Sequence, residues 1–247
     1  MADNKLVALQ AAGQVAAQIH QEVAAMIKPG LNLLEIEALA NKRINEAGMK
    51  PAFPTNKFPA TCCLSVNEEI VHGLPHDFEL AEGDVLKVDL GVMSDGWMVD
   101  TARTHGVGQI SNDAKRLLTV TEAALEAAIK VCRAGNHVGD IGAIVEQTVK
   151  AGGCAVIRDL SGHGVGRTLQ EEPTIPNFGR PGTGPILKEG MVLAIEPITC
   201  LKATKIAVLS DGWTIIAQNG LATAQFEHTI LVTDNEPLIL TKDRTAN

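Results

Sequence analysis

The chain has 247 residues, enough for one large domain or two small halves around a common core. Hydrophobic residues make up 45% and charged residues 20%, an ordinary globular composition that excludes disordered and fibrous classes. The formal net charge of -8 argues against nucleic acid or an anionic membrane as the main partner, since neither rewards an acidic surface.

The N-terminus reads as a helix. Val7, Ala11, Val15, Ile19, Val23 and Ile27 recur every fourth residue and predict one apolar stripe packed on the core. Lys28-Pro29-Gly30 ends it. Asn32 can cap a second helix through about Ala47, with Glu35 completing a capping box. From Thr61 to Thr104 the pattern changes to strands and turns. VLKVDLGVM (85–93) is a Val- and Leu-rich strand, Asp95-Gly96 a turn, and GWMVDTART the returning partner. Ser111 caps a third helix with Leu117, Leu118, Thr121, Leu125, Ala128 and Ile129 inward. Arg133-Ala134-Gly135 breaks the chain before a fourth helix, from about Val138 to Ala151. A short strand (Ala155–Arg158), a glycine-rich turn, a proline-rich loop (173–185) and further strands complete the order.

This order repeats. KPGLNLLEIEALANKRINEAG aligns with RAGNHVGDIGAIVEQTVKAGG, so that Gly30 meets Gly135, Ile36 meets Ile141 and Gly48 meets Gly153. LAEGDVLKVD aligns with LKEGMVLAIE, pairing Asp89 with Glu196. DGW at 95–97 has an echo at 211–213, and the strands beyond carry Asp100 and Glu227. His72-Gly73 echoes His163-Gly164. Two similar halves, about 1–108 and 109–247 of a single domain, would bring these residues together across a pseudo-twofold axis. The fold class expected is α+β, with helices over antiparallel sheets.

Asp89 lies inside V-L-K-V-D-L-G-V and Glu196 inside M-V-L-A-I-E-P-I. A carboxylate buried in an apolar strand needs a cation or hydrogen bonds; either acid alone could instead face water at a strand edge. Asp89, Asp100, Glu196 and Glu227 converging with His163 would repel one another, and must protonate or bind metal. Oxygen ligands with one imidazole suit two divalent ions such as Mn, Fe, Co or Zn. Such a pair activates a water and polarises a carbonyl, so the reaction class is metal-assisted hydrolysis. Glu196 could also accept the proton of the attacking water. His72, in the turn H-G-L-P, either bonds substrate or is merely solvated.

Other signals carry less. G-H-G-V-G-R is neither a P-loop nor GxGxxG, and no GxSxG elbow is present. Cys62 and Cys63 read as small packed residues, and His20, His76, His105, His137 and His228 as surface or structural. The five cysteines are odd in number and lack a CxxC pair, which disfavours a disulfide scaffold and favours a reducing compartment. The start, MADNKLVALQ, lacks the apolar run of a signal peptide, and no segment is long enough to span a bilayer. A cytoplasmic protein without membrane association is expected.

The segments SVNEEIVHGLP, GDVLKVDLGVMSDGWMVDTA, SGHGVGRTLQEEP, GMVLAIEP, DGW and AQFEHTILVT together resemble the type I methionine aminopeptidases of the pita-bread fold, over nearly the whole chain. The resemblance implies a central dinuclear centre between the halves. Asp89 would ligate one metal, Asp100 and Glu227 would bridge both, and His163 and Glu196 would complete the other site. It implies that His72 contacts substrate near the scissile amide, and that Phe58, Cys63 and Trp213 line the side-chain pocket. It places Asn67, Glu69 and Thr223 where a monovalent cation can sit. The substrates implied are N-terminal peptides of nascent proteins, met at the ribosome exit by a monomer.

Two departures stand out. Gln170 occupies the position of a second histidine in the segment after GHGVGR; its amide can donate a hydrogen bond but cannot carry a proton. Thr55 stands where an aromatic often lines the pocket. The short span from His163 to Glu196 fits type I rather than type II. Xaa-Pro aminopeptidases usually carry an extra N-terminal domain, and no zinc-binding extension precedes this chain, so a compact bacterial-type enzyme is expected. The alternatives are another preference on the same fold, such as Xaa-Pro, or a weakly active peptide-binding relative.

Overall fold

The computed structural model describes residues 2–242. The chain opens with helices α1 (Ala2–Met26) and α2 (Leu33–Glu46). Strands β1 (Lys50–Pro51), β2 (Cys62–Val66), β3 (Glu69–Val71), β4 (Val85–Ser94) and β5 (Trp97–Gly106) follow. Next come α3 (Asn112–Lys130), α4 (Val138–Ala151), β6 (Ala155–Val156), β7 (Ser161–Gly164), β8 (Glu171–Pro176), β9 (Val192–Ile195) and β10 (Ile198–Cys200). The chain continues through β11 (Ile206–Val208), β12 (Ile215–Ala217), β13 (Thr223–Gln225), β14 (His228–Leu231) and β15 (Leu238–Ile239).

The caps follow the sequence. Asn32 accepts from the Leu34 amide at 2.9 Å while Glu35 Oε1 accepts from the Asn32 amide at 3.1 Å, closing the capping box of α2. Ser111 Oγ accepts from the Ala114 amide at 3.1 Å and starts α3. Asp95 (φ 50°) and Gly96 (φ 74°) are both left-handed, the backbone a tight hairpin between β4 and β5 requires.

The stripe expected on α1 is corrected. Ile19 and Val23 are buried as expected and Val15 and Ile27 pack against the core, but Val7 is exposed, and the N-terminal part of the buried face runs through Ala8, Leu9, Ala12 and Ala16. Residues four apart overshoot a full turn by about 40°, so a long i+4 row winds off one face. The proline-rich stretch is also corrected at its start. Glu171–Pro176 forms β8, an edge strand paired only with β7, where a proline is tolerated. The strand expected at Ala155–Arg158 is shorter, ending at Val156.

Two sheets position the site. In one, β4 lies between β5 and β2, with β1 further along the β2 edge. The other runs β15-β14-β9-β7-β8. The pairings within both are antiparallel. α1 and α2 cover the first sheet through a core that includes Leu9, Ile19, Leu33, Ile36, Leu86, Val88 and Leu90. α3 and α4 cover the second through Leu117, Leu125, Ile141, Val145, Leu193, Ile195 and Ile230. Among the described residues no helix is long and apolar enough to cross a membrane.

Candidate metal centre

Asp89 sits within β4, opposite Cys63 on β2 and Ala102 on β5. Asp100 lies on β5 and faces Gly91 across the hairpin. His163 lies on β7, Glu196 directly after β9, and Glu227 directly before β14. The two sheets are stitched together at this point. Thr229 Oγ1 accepts from the Asp100 amide and donates to the Asp100 carbonyl, both at 2.7 Å. Thr101 Oγ1 donates to the Glu227 carbonyl at 2.9 Å, and the Glu227 amide donates to the Ala102 carbonyl at 2.9 Å.

The glycines around His163 follow from this packing. A Cβ on Gly162 would run into the Ala194 carbonyl of β9, and one on Gly164 into the Glu172 carbonyl of β8. His163 is thus delivered by a strand squeezed between two neighbours, and G-H-G is a packing requirement.

All five expected ligands line one cavity of about 300 Å³. One ligand atom each from Asp100, His163 and Glu227 lies within 4.8 Å of the others. His163 Nε2 is 3.8 Å from Asp100 Oδ2 and 3.6 Å from Glu196 Oε1. His163 Nδ1 lies 2.9 Å from the Gly164 carbonyl, to which it donates as the neutral ring, leaving the Nε2 lone pair turned to the acids.

The electrostatics are those of a cage built for cations. Burial pushes Asp89 up to about 7, opposed by its hydrogen bonds to Asp100 and Gln225. Burial, then the charges of Asp89 and Glu196, lift Asp100 well above the carboxylate range. Glu196 is raised by burial and by Asp89; Glu227 by burial and by Asp100, Glu196 and Asp89. Asp89 Oδ1, Asp100 Oδ1 and Glu227 Oε1 are buried without any hydrogen-bond partner. Leaving such oxygens unmatched is costly, and divalent cations would satisfy them while relieving the mutual repulsion. The donor set therefore fits divalent metal.

The rest of the cavity is apolar. Phe58 and Cys63 are buried in its wall, and Trp213 meets Phe58 edge to face with ring centroids 5.3 Å apart. The aromatic partner missing at Thr55 is Phe53, which lines the cavity 5.9 Å from Phe58, while the Thr55 hydroxyl donates to the Ala52 carbonyl. His72 lines the cavity at φ 58°, a conformation rare outside glycine and held here by its surroundings. Burial and the nearby His163 lower its pKa, so it is neutral at pH 7. Gln170 lines the same cavity from an exposed position.

The chain matches the model of metallopeptidase family M24 over residues 7–234. It belongs to that family. A Clostridium perfringens protein named methionine aminopeptidase is 38% identical over 97% of this chain and 96% of its own. The crystal structure of methionine aminopeptidase from Thermotoga maritima superposes with a TM-score of 0.95, at 41% identity and 97% coverage of both chains. The Pyrococcus furiosus prolidase, at 23% identity, covers 98% of this chain but 64% of its own, and its TM-score of 0.79 marks a shared fold. The pita-bread architecture is thereby established.

Three participants escaped the sequence reading. Gln225 Nε2 donates to Glu196 Oε2 at 3.2 Å, and Asn177 Nδ2 to the Glu196 carbonyl at 2.8 Å. Gln225 ends β13 two residues before Glu227, and that closeness in sequence was the usable signal. The third is Lys87. The backbone carbonyl of Asn67 and that of Thr223, where a monovalent cation was expected, both accept from its ammonium, at 2.8 and 3.4 Å. Glu69 is turned to the Val66 amide at 2.7 Å.

Proposed function

We propose that this chain is an aminopeptidase that removes N-terminal methionine from peptides and nascent proteins, using two divalent ions held by Asp89, Asp100, His163, Glu196 and Glu227. The observation that carries this reading is the convergence of Asp100, His163 and Glu227 beneath an aromatic, thiol-lined wall in one cavity. The ions would supply Lewis acidity and an activated water. The chain's own groups do the rest. The apolar wall around the acids excludes water from the cavity floor, where the peptide's N-terminal amine would sit beside the ions. Phe53, Phe58, Cys63 and Trp213 receive a flexible thioether side chain, which makes favourable contacts with ring edges. Neutral His72 and the Gln170 amide offer hydrogen bonds to the scissile amide and its carbonyl. Glu196, held from behind by Gln225 and Asn177, takes the proton of the attacking water.

The manganese, cobalt, iron or zinc identity of the ions, action at the ribosome exit, a monomeric state and a cytoplasmic location belong to the same proposal. The Xaa-Pro alternative is supported by fold alone, whereas full-length relatives at 36 to 41% identity carry the methionine aminopeptidase name. Release of methionine from Met-Ala-Ser and Met-Gly peptides with added manganese, cobalt or iron is the test. Cleavage of a Xaa-Pro peptide with none of these would reverse the assignment.

A further inference from the structure

Lys87 is among the largest fully buried side chains of the protein, 1% exposed within β4. An ammonium this deep is normally matched by a carboxylate. Here its hydrogen bonds go to main-chain carbonyls, Asn67 at 2.8 Å and Thr223 at 3.4 Å; burial pulls the amine down to about 7, and the charges of Glu69 and Glu68 work to keep it protonated. These carbonyls come from residues 156 positions apart in the chain. Asn67 is held at φ 52°, with its side chain fixed between Asp84 Oδ1 and the Val85 amide, both at 2.9 Å. Its carbonyl also accepts from the Thr223 amide at 3.0 Å and Thr223 Oγ1 at 3.2 Å. Thr223 opens β13, the strand that carries Gln225 against Glu196. Lys87 shares one face of β4 with Asp89.

The arrangement is that of a cation coordinated by carbonyl oxygens at a seam, with the cation covalently attached. We propose that the Lys87 ammonium is a built-in monovalent cation. It clamps β4 to β13 and so sets the position of Asp89 relative to Gln225 and Glu196. Lys87 is a positioning residue, and the protein needs no free sodium or potassium at this seam. With the side chain removed, the Asn67 and Thr223 carbonyls would lose their shared donor in a dry site, and a small free cation could take its place.

The test compares the wild type, Lys87→Ala, and Lys87→Met, which keeps the aliphatic bulk, in choline chloride. Each is titrated with sodium, potassium, ammonium or methylammonium chloride at constant ionic strength. Thermal midpoint and hydrolysis of Met-Ala-Ser are followed; the second readout rests on the aminopeptidase reading, the first does not. Wild type should respond to no cation in either readout. Lys87→Ala should lose kcat roughly tenfold or more, with a smaller change in KM, as misplaced groups do. Potassium or methylammonium should restore both kcat and midpoint in Lys87→Ala but not in Lys87→Met, whose side chain fills the space. Several-fold activation or stabilisation of the wild type by potassium or sodium would overturn the proposal. So would Lys87→Ala matching wild type in choline, or a loss that no cation repairs. Should Lys87→Ala fail to fold, the wild-type titration and the deficit of Lys87→Met in choline still decide.

Discussion

Metal binding to this cage must expel protons, and the structure sets how many. In the metal-free protein Asp89 is pushed up to about 7 by burial, and Asp100, Glu196 and Glu227 lie well above the usual carboxylate range. A group titrating near 7 is protonated in roughly nine of ten molecules at pH 6 and one in ten at pH 8. Asp89 alone therefore surrenders about one proton to an incoming divalent ion at pH 6, and the other three acids add to it. Burial lowers the pKa of His163, so it adds less to the count than a free imidazole would. Manganese affinity should rise about tenfold per pH unit for each proton released. Asp89 is raised above its unfolded value of 3.8, so its contribution to metal-free stability is full below that pH and lost as pH climbs through about 7. Bound metal removes this loss, and the stabilisation that manganese confers should grow across the same window. Titration calorimetry at pH 6 in buffers of different ionisation enthalpy reads the proton count directly. A count of zero, or an affinity flat between pH 6 and 7, would mean that the acids are ionised without metal and that the cage is not as dry as its geometry requires.

Three further outcomes follow from the same site. Gln170→His should raise kcat/KM by about 10- to 1000-fold and add an acid limb near pH 6.5, since an imidazole can carry the charge an amide cannot. No gain would remove the oxyanion-donor role assigned to position 170, and because Gln170 is exposed the thermal midpoint should not move. Asp100→Asn and Glu227→Gln should each abolish turnover and lower the manganese stoichiometry measured by calorimetry; full activity in either would refute the bridging roles. Gly164→Ala should cost roughly 1–3 kcal/mol or more by driving a methyl into the Glu172 carbonyl, and should weaken manganese binding through displacement of His163. Unchanged binding would separate the glycine from the site.

The parts of this site that were legible in the sequence are those that break a local rule. Asp89 and Glu196 are acids in or directly after apolar strands, and Asp95-Gly96 is a turn signal between Asp89 and Asp100; each stood out against its neighbours. The supporting groups break no rule. Asn177, Thr229 and Gln225 are neutral side chains whose importance comes from strands distant in sequence, and only the fold discloses what they hold. The α1 stripe failed for a geometric reason, a four-residue period laid on a helix of 3.6, while α2 was legible to its cap because capping is local.

Lys87 and Asp89 bring these cases together. Both are charged, both lie in β4 two residues apart on the same face, and both are buried. Both are costly intrusions into V-L-K-V-D-L, although only Asp89 stood out in the sequence. Their surroundings separate them. Asp89 meets Asp100, with Glu196 raised by its charge, and a carboxylate among carboxylates calls for a cation from outside. Lys87 meets the carbonyls of Asn67 and Thr223, which are already acceptors, and supplies the cation itself. One strand thus presents a place for imported charge and a place for resident charge, and the second keeps the first in register.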